Sequence, residues 1–352
     1  MKHEVTRRMA SQPRICVVGS CMIDLISRVP RLPTLGETLV GHSFHMGYGG
    51  KGANQATAAA RLGARVSMVA KVGRDVFGEG TVDNLRANGI DTQFVLSDPE
   101  RFSGVAPIFV DDHAQNVIVI VPGANYGLTP DDVHAAGAEI RAADIVCCQL
   151  EVPVETTLEA FRIARAANVM TILNPAPAAL LPDELLSLTD ICVPNEVEAQ
   201  MLTGRSVQTM EDAEAAARDL LGRGPRSVIV TLGSRGALLV SGDTRRHVPA
   251  LPVDAVDPTG AGDEFIGALA VFLGEGRAMA EAVRRAGAAA ALSVTRIGTQ
   301  VSFPQRAEVD EFLQARKEGN RGESAPDELP GDAARAVSTG GMPARKGATG
   351  GS

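Results

Sequence analysis

The sequence has no tryptophan and only two tyrosines, and aromatic residues make up 3% of its 352 positions. Flat platforms on which single-stranded nucleic acid could stack are therefore scarce. Positive charge is also short: 34 Lys and Arg against 42 Asp and Glu leave a net charge of -8. A chain of that sign does not hold nucleic acid by bulk electrostatics. No apolar run reaches the roughly 18 residues that a membrane helix requires. The first 13 residues carry Lys2, Arg7 and Arg8 but no apolar stretch of the secretory kind, so they read as a flexible extension. The five cysteines (Cys16, Cys21, Cys147, Cys148 and Cys192) are odd in number and include no Cys-x-x-Cys. They argue against a disulfide framework and against zinc, and for buried thiols in a cytoplasmic protein.

What the chain does have is a repeated alternation of apolar runs and helical stretches. Residues 14–20, 66–71, 145–150, 169–173, 191–194 and 227–231 are short Val-, Ile- and Cys-rich runs that end in polar or glycine-containing turns. Such runs are buried strands of a parallel sheet, and the stretches between them, such as 75–88, 260–274 and 277–294, have helical character. The expected fold is α/β, a three-layer α/β/α sandwich with a mostly parallel central sheet. Two β-rich segments, about 25–46 and 103–121, interrupt the alternation, the second with a hairpin signal at 111–115; together they predict a small β-sheet lid. His42 and His45 lie three apart on a strand, face opposite sides and so do not pair on a metal. Beyond 316 the chain turns rich in Gly, Ala, Ser, Pro and charge, which predicts a disordered tail over 317–352.

The chemistry gathers on a few stretches. Asp257-Pro258-Thr259-Gly260-Ala261-Gly262-Asp263 leads into an apolar helix. Glycines before a helix let free N–H groups face an anion. A carboxylate at Asp263 would repel a bound phosphate unless it takes a proton from the hydroxyl that attacks it. The plain alternative is that Asp263 only caps the helix. Phe265 breaks the Gly-x-Gly-x-x-Gly pattern, and no Gly-Lys-Ser/Thr of a Walker loop is present there. A second glycine cluster, Gly47-Tyr48-Gly49-Gly50-Lys51-Gly52-Ala53-Asn54-Gln55, also opens a helix, where backbone N–H groups, Lys51 and Asn54 suit a polyol. Asp24 and Glu151 each follow a core strand and add acceptors, although each could equally be a solvated surface acid. Asn195 and Glu198 open a helix, where they either serve its dipole or hold Mg2+ through water. The turn Thr231-Leu232-Gly233-Ser234-Arg235-Gly236 follows another strand and could lie under a nucleotide.

Over about residues 14–315 these motifs, with Gln149-Leu150-Glu151 and Asn174-Pro175-Ala176-Pro177-Ala178, resemble the pfkB carbohydrate kinase family that includes ribokinase. The resemblance implies a kinase domain over 14–316 that transfers phosphate from ATP to the 5-hydroxyl of D-ribose. It places the sugar against Met22, Asp24, Gly50, Lys51, Asn54 and Glu151, with Asp263 as base. It places ATP against Asn195, Thr231, Gly233, Ser234, Gly236, Gly260, Ala261 and Gly262, with Mg2+ near Glu198. It also implies an activating K+ held by Asp257, Thr259, Ser293, Arg296, Gly298 and Ser302, and a homodimer formed through the β lid. Met22 stands where many relatives have Asn, Pro258 where Thr is commoner, and Gly287 where Asn or His flanks the adenine. Another sugar or a nucleoside as acceptor, or a sugar-binding regulator without activity, are the competing readings.

Overall fold

Alternate residues of β1 (Arg14–Val18) point into different apolar layers, Ile15 and Val17 into one and Cys16 and Val18 into the other. A strand with no polar side must be covered twice, and this requirement generates the architecture. The computed structural model describes residues 12–322 apart from 114. After β1 the chain leaves the sheet for β2 (Met22–Arg28) and β3 (Ser43–Gly49), then returns through helix α1 (Lys51–Arg61) to β4 (Arg65–Gly73), α2 (Val76–Ala87) and β5 (Asp91–Asp98). It leaves again for β6 (Gly104–Val110) and β7 (Asn116–Ile118).

Helices α3 (Pro130–Ala135) and α4 (Gly137–Ala142) lead to β8 (Ile145–Cys148), α5 (Val154–Ala166), β9 (Met170–Leu173), α6 (Asp183–Ser187) and β10 (Ile191–Cys192). Next come α7 (Glu196–Thr203), α8 (Met210–Gly222), β11 (Ser227–Thr231), β12 (Ala237–Ser241) and β13 (Thr244–Val248). Helices α9 (Ala261–Gly274), α10 (Met279–Ser293) and α11 (Arg306–Gly322) follow.

The main sheet has nine strands in the order β13-β12-β11-β10-β9-β8-β1-β4-β5, parallel except for the antiparallel pairs β11–β12 and β12–β13. Helices α1, α2, α9 and α10 pack on one face, and α3 to α8 on the other. The chain builds outward from β1 to β5 and then restarts at β8 on the other side of β1. This reversal opens a crevice at the carboxyl ends of β1 and β8, where open α/β sheets bind ligands.

The lid is a second sheet, in the order β3-β2-β6-β7. The expected small β lid is present, and its pairings are mixed. β2 and β3 are antiparallel, but β2 and β6 run parallel along their whole length, because β6 arrives after the crossover through β4 and β5. The lid also begins earlier and ends later than 25–46, since its strands continue straight from the core connections at Met22 and Gly49.

Several elements carried no readable signal. β5 alternates only weakly, and α3, α4 and α6 are five or six residues long, too short for a period to register. The extension ends before residue 13, since Pro13 is buried and its carbonyl accepts from Arg65 N at 2.9 Å. Helix continues through Gly322, past the expected start of the tail at 317, although the compact unit holding both sheets ends at Leu313. The remainder of the expected tail, 323–352, and residues 1–11 lie outside the described residues.

Candidate active site

Glycines bring α1 onto the end of β1. Gly50 has φ of 88°, and a Cβ there would meet Met22 N at 2.7 Å; a Cβ on Gly52 would meet Ser20 N at 2.5 Å. These glycines therefore admit the protein's own backbone, and a ligand is not needed to explain them. The N–H groups of Lys51, Gly52 and Ala53 are likewise taken, by Glu151 Oε2 at 2.9 Å, Ser20 Oγ at 3.3 Å and Ser20 O at 2.8 Å. Of the backbone donors expected here, those of Lys51, Gly52 and Ala53 are therefore spent on fixing Glu151 and Ser20. The Lys51 side chain remains to line the cleft, whereas the Asn54 amide is buried between Asp263 and Gln300. Ser20 Oγ also donates to Glu151 Oε2 at 2.6 Å, so the carboxylate bridges the ends of β1 and β8 across the crevice.

The opposite wall is α9. Gly260, in the left-handed conformation with φ of 79°, occupies the N-cap position, so Asp263 does not cap the helix. Among the described residues, no protein acceptor reaches the N–H groups of Gly260, Gly262 or Asp263. They form the open, positive end of a helix of 14 residues. The Asp263 carboxylate is 7% exposed, and each of its oxygens accepts one amide proton: Oδ2 from Asn54 Nδ2 at 2.8 Å and Oδ1 from Gln55 Nε2 at 3.1 Å. Gln55 Oε1 in turn accepts from Gln149 Nε2 at 2.6 Å, and Gln55 Nε2 also reaches Asn174 Oδ1 at 3.2 Å. A carboxylate in a buried place needs such donors to remain charged.

Between the walls lies a cleft of about 190 Å3. Lys51, Asn195, Glu198, Thr231, Gly260, Gly262 and Asp263 line it, together with Asn174, Ala176, Val193 and Ile266. Asn195 and Glu198 form a capping box on α7. Asn195 N and Nδ2 donate to the two Glu198 oxygens at 2.8 and 3.0 Å, so the pair caps the helix and still faces the cleft. Gly233 and Ser234 are exposed on the turn after β11 and do not line the cleft. Gly236 is explained by the chain itself, since a Cβ there would meet Val248 O at 2.1 Å. Met22 is buried at 3% exposure and is not among the lining residues. Gly287 leaves open space where a Cβ would meet nothing within 4 Å.

The charges are arranged around one cation. Burial lowers the affinity of Lys51 for its proton, but Asp263, Glu151 and Glu198 together push it above its ordinary value. Burial pushes Glu151 and Glu198 up, each against the pull of Lys51. Asp24, on the lid strand β2, is pushed up to about 6 by burial and then by Glu151 and Asp263. Three carboxylates thus act on a single lysine, an arrangement that would repel a polyphosphate unless a cation came with it.

The loop segments near Asp257 also meet. Asp257 Oδ2 accepts from Gly298 N at 2.9 Å and Oδ1 from Thr259 N at 3.0 Å, which joins the segment before α9 to the loop after α10. Ser293 and Ser302 are buried there, donating to Ala290 O and Thr299 O, whereas the Arg296 guanidinium turns to Glu308. Only the carbonyl of Arg296 is therefore available to a cation. Among the described residues no cluster of three or more His, Cys, Asp or Glu could hold a metal.

Sequence reading passed over Ser20, Gln55, Gln149, Asn174 and Gln300 as actors. Gln55, Gln149 and Asn174 lie inside the quoted motifs, so their positions were visible but their partners were not. Gln300, whose Nε2 donates to Asn54 Oδ1 at 3.0 Å, lies in a loop with no local signal at all.

A buried carboxylate at the open end of a helix, facing a cleft at the switch point of a doubly wound sheet, defines the class. The pfkB family carbohydrate kinase model matches residues 12–306, and the chain belongs to this family. Within it, the chain is 44% identical over 297 residues to the ribokinase of Mus musculus, covering 83% of this chain and 92% of that one. It is 43% identical over 300 residues to the deoxyribokinase of Salmonella typhi, covering 85% and 98%. The structure of Arabidopsis thaliana ribokinase complexed with ribose and ATP superposes with a TM-score of 0.81 at 34% identity, covering 86% of this chain and 99% of that one.

Proposed function

We propose that the protein transfers the γ-phosphoryl group of ATP to the 5-hydroxyl of D-ribose, giving D-ribose 5-phosphate and ADP. The observation that carries this reading is Asp263, buried, ionisable, held on both oxygens and set beside the unpaired N–H groups of α9. The sugar would lie toward Asp24, Asn54 and Glu151, with its reacting hydroxyl against Asp263. As the hydroxyl oxygen bonds to phosphorus and the bond to the ADP oxygen breaks, the proton passes to Asp263. The charge on the transferring group meets the N–H groups of Gly260 and Gly262 and the Lys51 ammonium, while the Ala261 N–H is bound to Pro258 O.

The donor sets fit the two cations. Glu198 offers a single carboxylate next to the cleft, which suits Mg2+ held mainly by water and phosphate. Asp257, the Thr259 segment and the 293–302 loop offer only oxygen donors and one negative charge, which suits a K+ ion. When bound, Mg2+ would neutralise phosphate charge and K+ would order the loop beside the anion-binding helix end. The lid's outer face supports the homodimer, and the five buried free cysteines support a reducing, cytoplasmic compartment. No described helix is long and apolar enough to cross a membrane.

A second acceptor has its own support. The Met22 side chain, on the lid strand that carries Asp24, has no hydrogen bond to offer a sugar hydroxyl, and a relative of 43% identity is named deoxyribokinase. Coupled ADP release with ribose, 2-deoxyribose, fructose and adenosine tests the reading. We expect turnover with ribose, and a loss of about a hundredfold or more in Asp263→Asn with ribose binding retained. Turnover with fructose or adenosine alone, or an active Asp263→Asn, would sink it.

A further inference from the structure

We propose that Gln300 is a positioning residue for the reaction, fixing through Asn54 the amide donor that holds Asp263 and so tying the base to the loop between α10 and α11. The inference rests on the reading of Asp263 as base, and it starts from a chain of side-chain hydrogen bonds with one direction. Asn84 Nδ2, on α2, donates to Gln300 Oε1 at 2.8 Å; Gln300 Nε2 donates to Asn54 Oδ1 at 3.0 Å; Asn54 Nδ2 donates to Asp263 Oδ2 at 2.8 Å.

An ionised carboxylate can only accept, whereas each amide has one accepting and one donating end. Asp263 therefore requires the Asn54 nitrogen, which leaves the Asn54 oxygen facing Gln300, which must then donate. The polarity is consistent from α2 to the base, and each bond strengthens the next. Gln300 and Asn54 are each 5% exposed and Asp263 is 7% exposed, so water has little room to replace a lost partner. If Gln300 no longer donated, the Asn54 amide would have no reason to keep its nitrogen on Asp263. Turned over, it would aim an oxygen at a carboxylate.

The loop that carries Gln300 is itself held. Arg61 Nη1 donates to the carbonyls of Gln300 at 2.5 Å and Phe303 at 2.9 Å, and Gly298 N is bound to Asp257. The other oxygen of Asp263 depends on Gln55 and Gln149, which belong to α1 and the end of β8. The base is thus oriented by two amide relays of separate origin, and only the one through Gln300 reaches the loop after α10.

The test compares Gln300→Met, which keeps the length and removes the donor, with Gln300→Glu, which keeps the shape and replaces the donor by an acceptor. Asn84→Ala perturbs the outer end of the relay. At saturating ribose and ATP, we expect kcat to fall on the order of tenfold in Gln300→Met and further in Gln300→Glu, with KM for ATP nearly unchanged. The acid limb of kcat should move to higher pH in both, because a carboxylate that loses a donor is harder to ionise. Asn84→Ala should shift the same quantities in the same direction by less. A lowered Tm with the wild-type kcat and acid limb in both Gln300 variants would show a merely structural role and overturn the proposal. Should Gln300→Glu fail to fold, Gln300→Met and Asn84→Ala decide by the same readouts. An active Asp263→Asn would remove the base and this inference together, whereas an inactive Asp263→Asn beside unaltered Gln300 variants would overturn the inference alone.

Discussion

Glu264 stands next to Asp263 in sequence and shares none of its partners. It is 0% exposed, and among the described residues neither of its side-chain oxygens has a hydrogen-bond partner. Burial, opposed by Arg61 and reinforced by Asp263, pushes its carboxyl up to about 8 from an ordinary 4.5. A carboxyl with a folded pKa above its unfolded value binds its proton more tightly in the folded protein. Its contribution to stability is therefore complete below about 4.5 and is lost as pH rises through about 8. Glu264→Gln should flatten that loss, gaining a few kcal/mol over wild type at pH 8 relative to pH 4.5, since each tenfold change in proton affinity is worth about 1.4 kcal/mol. Urea denaturation of both proteins across this range checks it; parallel profiles would refute it.

At the scale of elements, the site depends on how closely α1 and α9 approach. A Cβ on Gly267 would meet both Ala58 Cβ and Gln55 O at 2.6 Å, so glycine there lets α9 lie directly on α1. That contact sets Asn54 and Gln55 of α1 against Asp263 of α9. Gly267→Leu would force the helices apart and should cost about 1–3 kcal/mol, as overpacking does. It should also lower kcat on the order of tenfold or more, since the base is carried on the displaced helix. Thermal unfolding and turnover measured on the same preparation check both parts; a normal kcat would mean that the spacing does not set the base.

For the whole molecule, the lid has two unlike faces. Residues paired across strands share a face, so Ser27 with Phe44, Leu25 with Met46, and Phe109 with Val117 lie together, opposite the face that carries Asp24. Phe44 is 61% exposed and Met46 52%. An apolar sheet face turned away from the cleft is the surface that the proposed homodimer would bury. Sedimentation should find a dimer at micromolar concentration, and Phe44→Glu should weaken it at least on the order of tenfold by burying a charge. A monomeric wild-type protein would refute the dimer and leave the kinase assignment untouched.

Local signals were sufficient for the alternating strands and helices, the lid, and the cleft-facing positions of Lys51, Glu198 and Asp263. Each depends on residue type, period or chain neighbours, which a single sequence carries. The tertiary structure alone decided that the glycines before α1 admit β1 and β2, that the lid joins its halves by a parallel pair, and that Gly233 and Ser234 lie off the cleft. It also decided the partners of Asp263, which include Gln300 by way of Asn54. Those partners come from positions up to 246 residues apart, Asn54 and Gln300 being the extreme. A hydrogen bond across that separation has no local periodicity, because it exists only once the layers are packed.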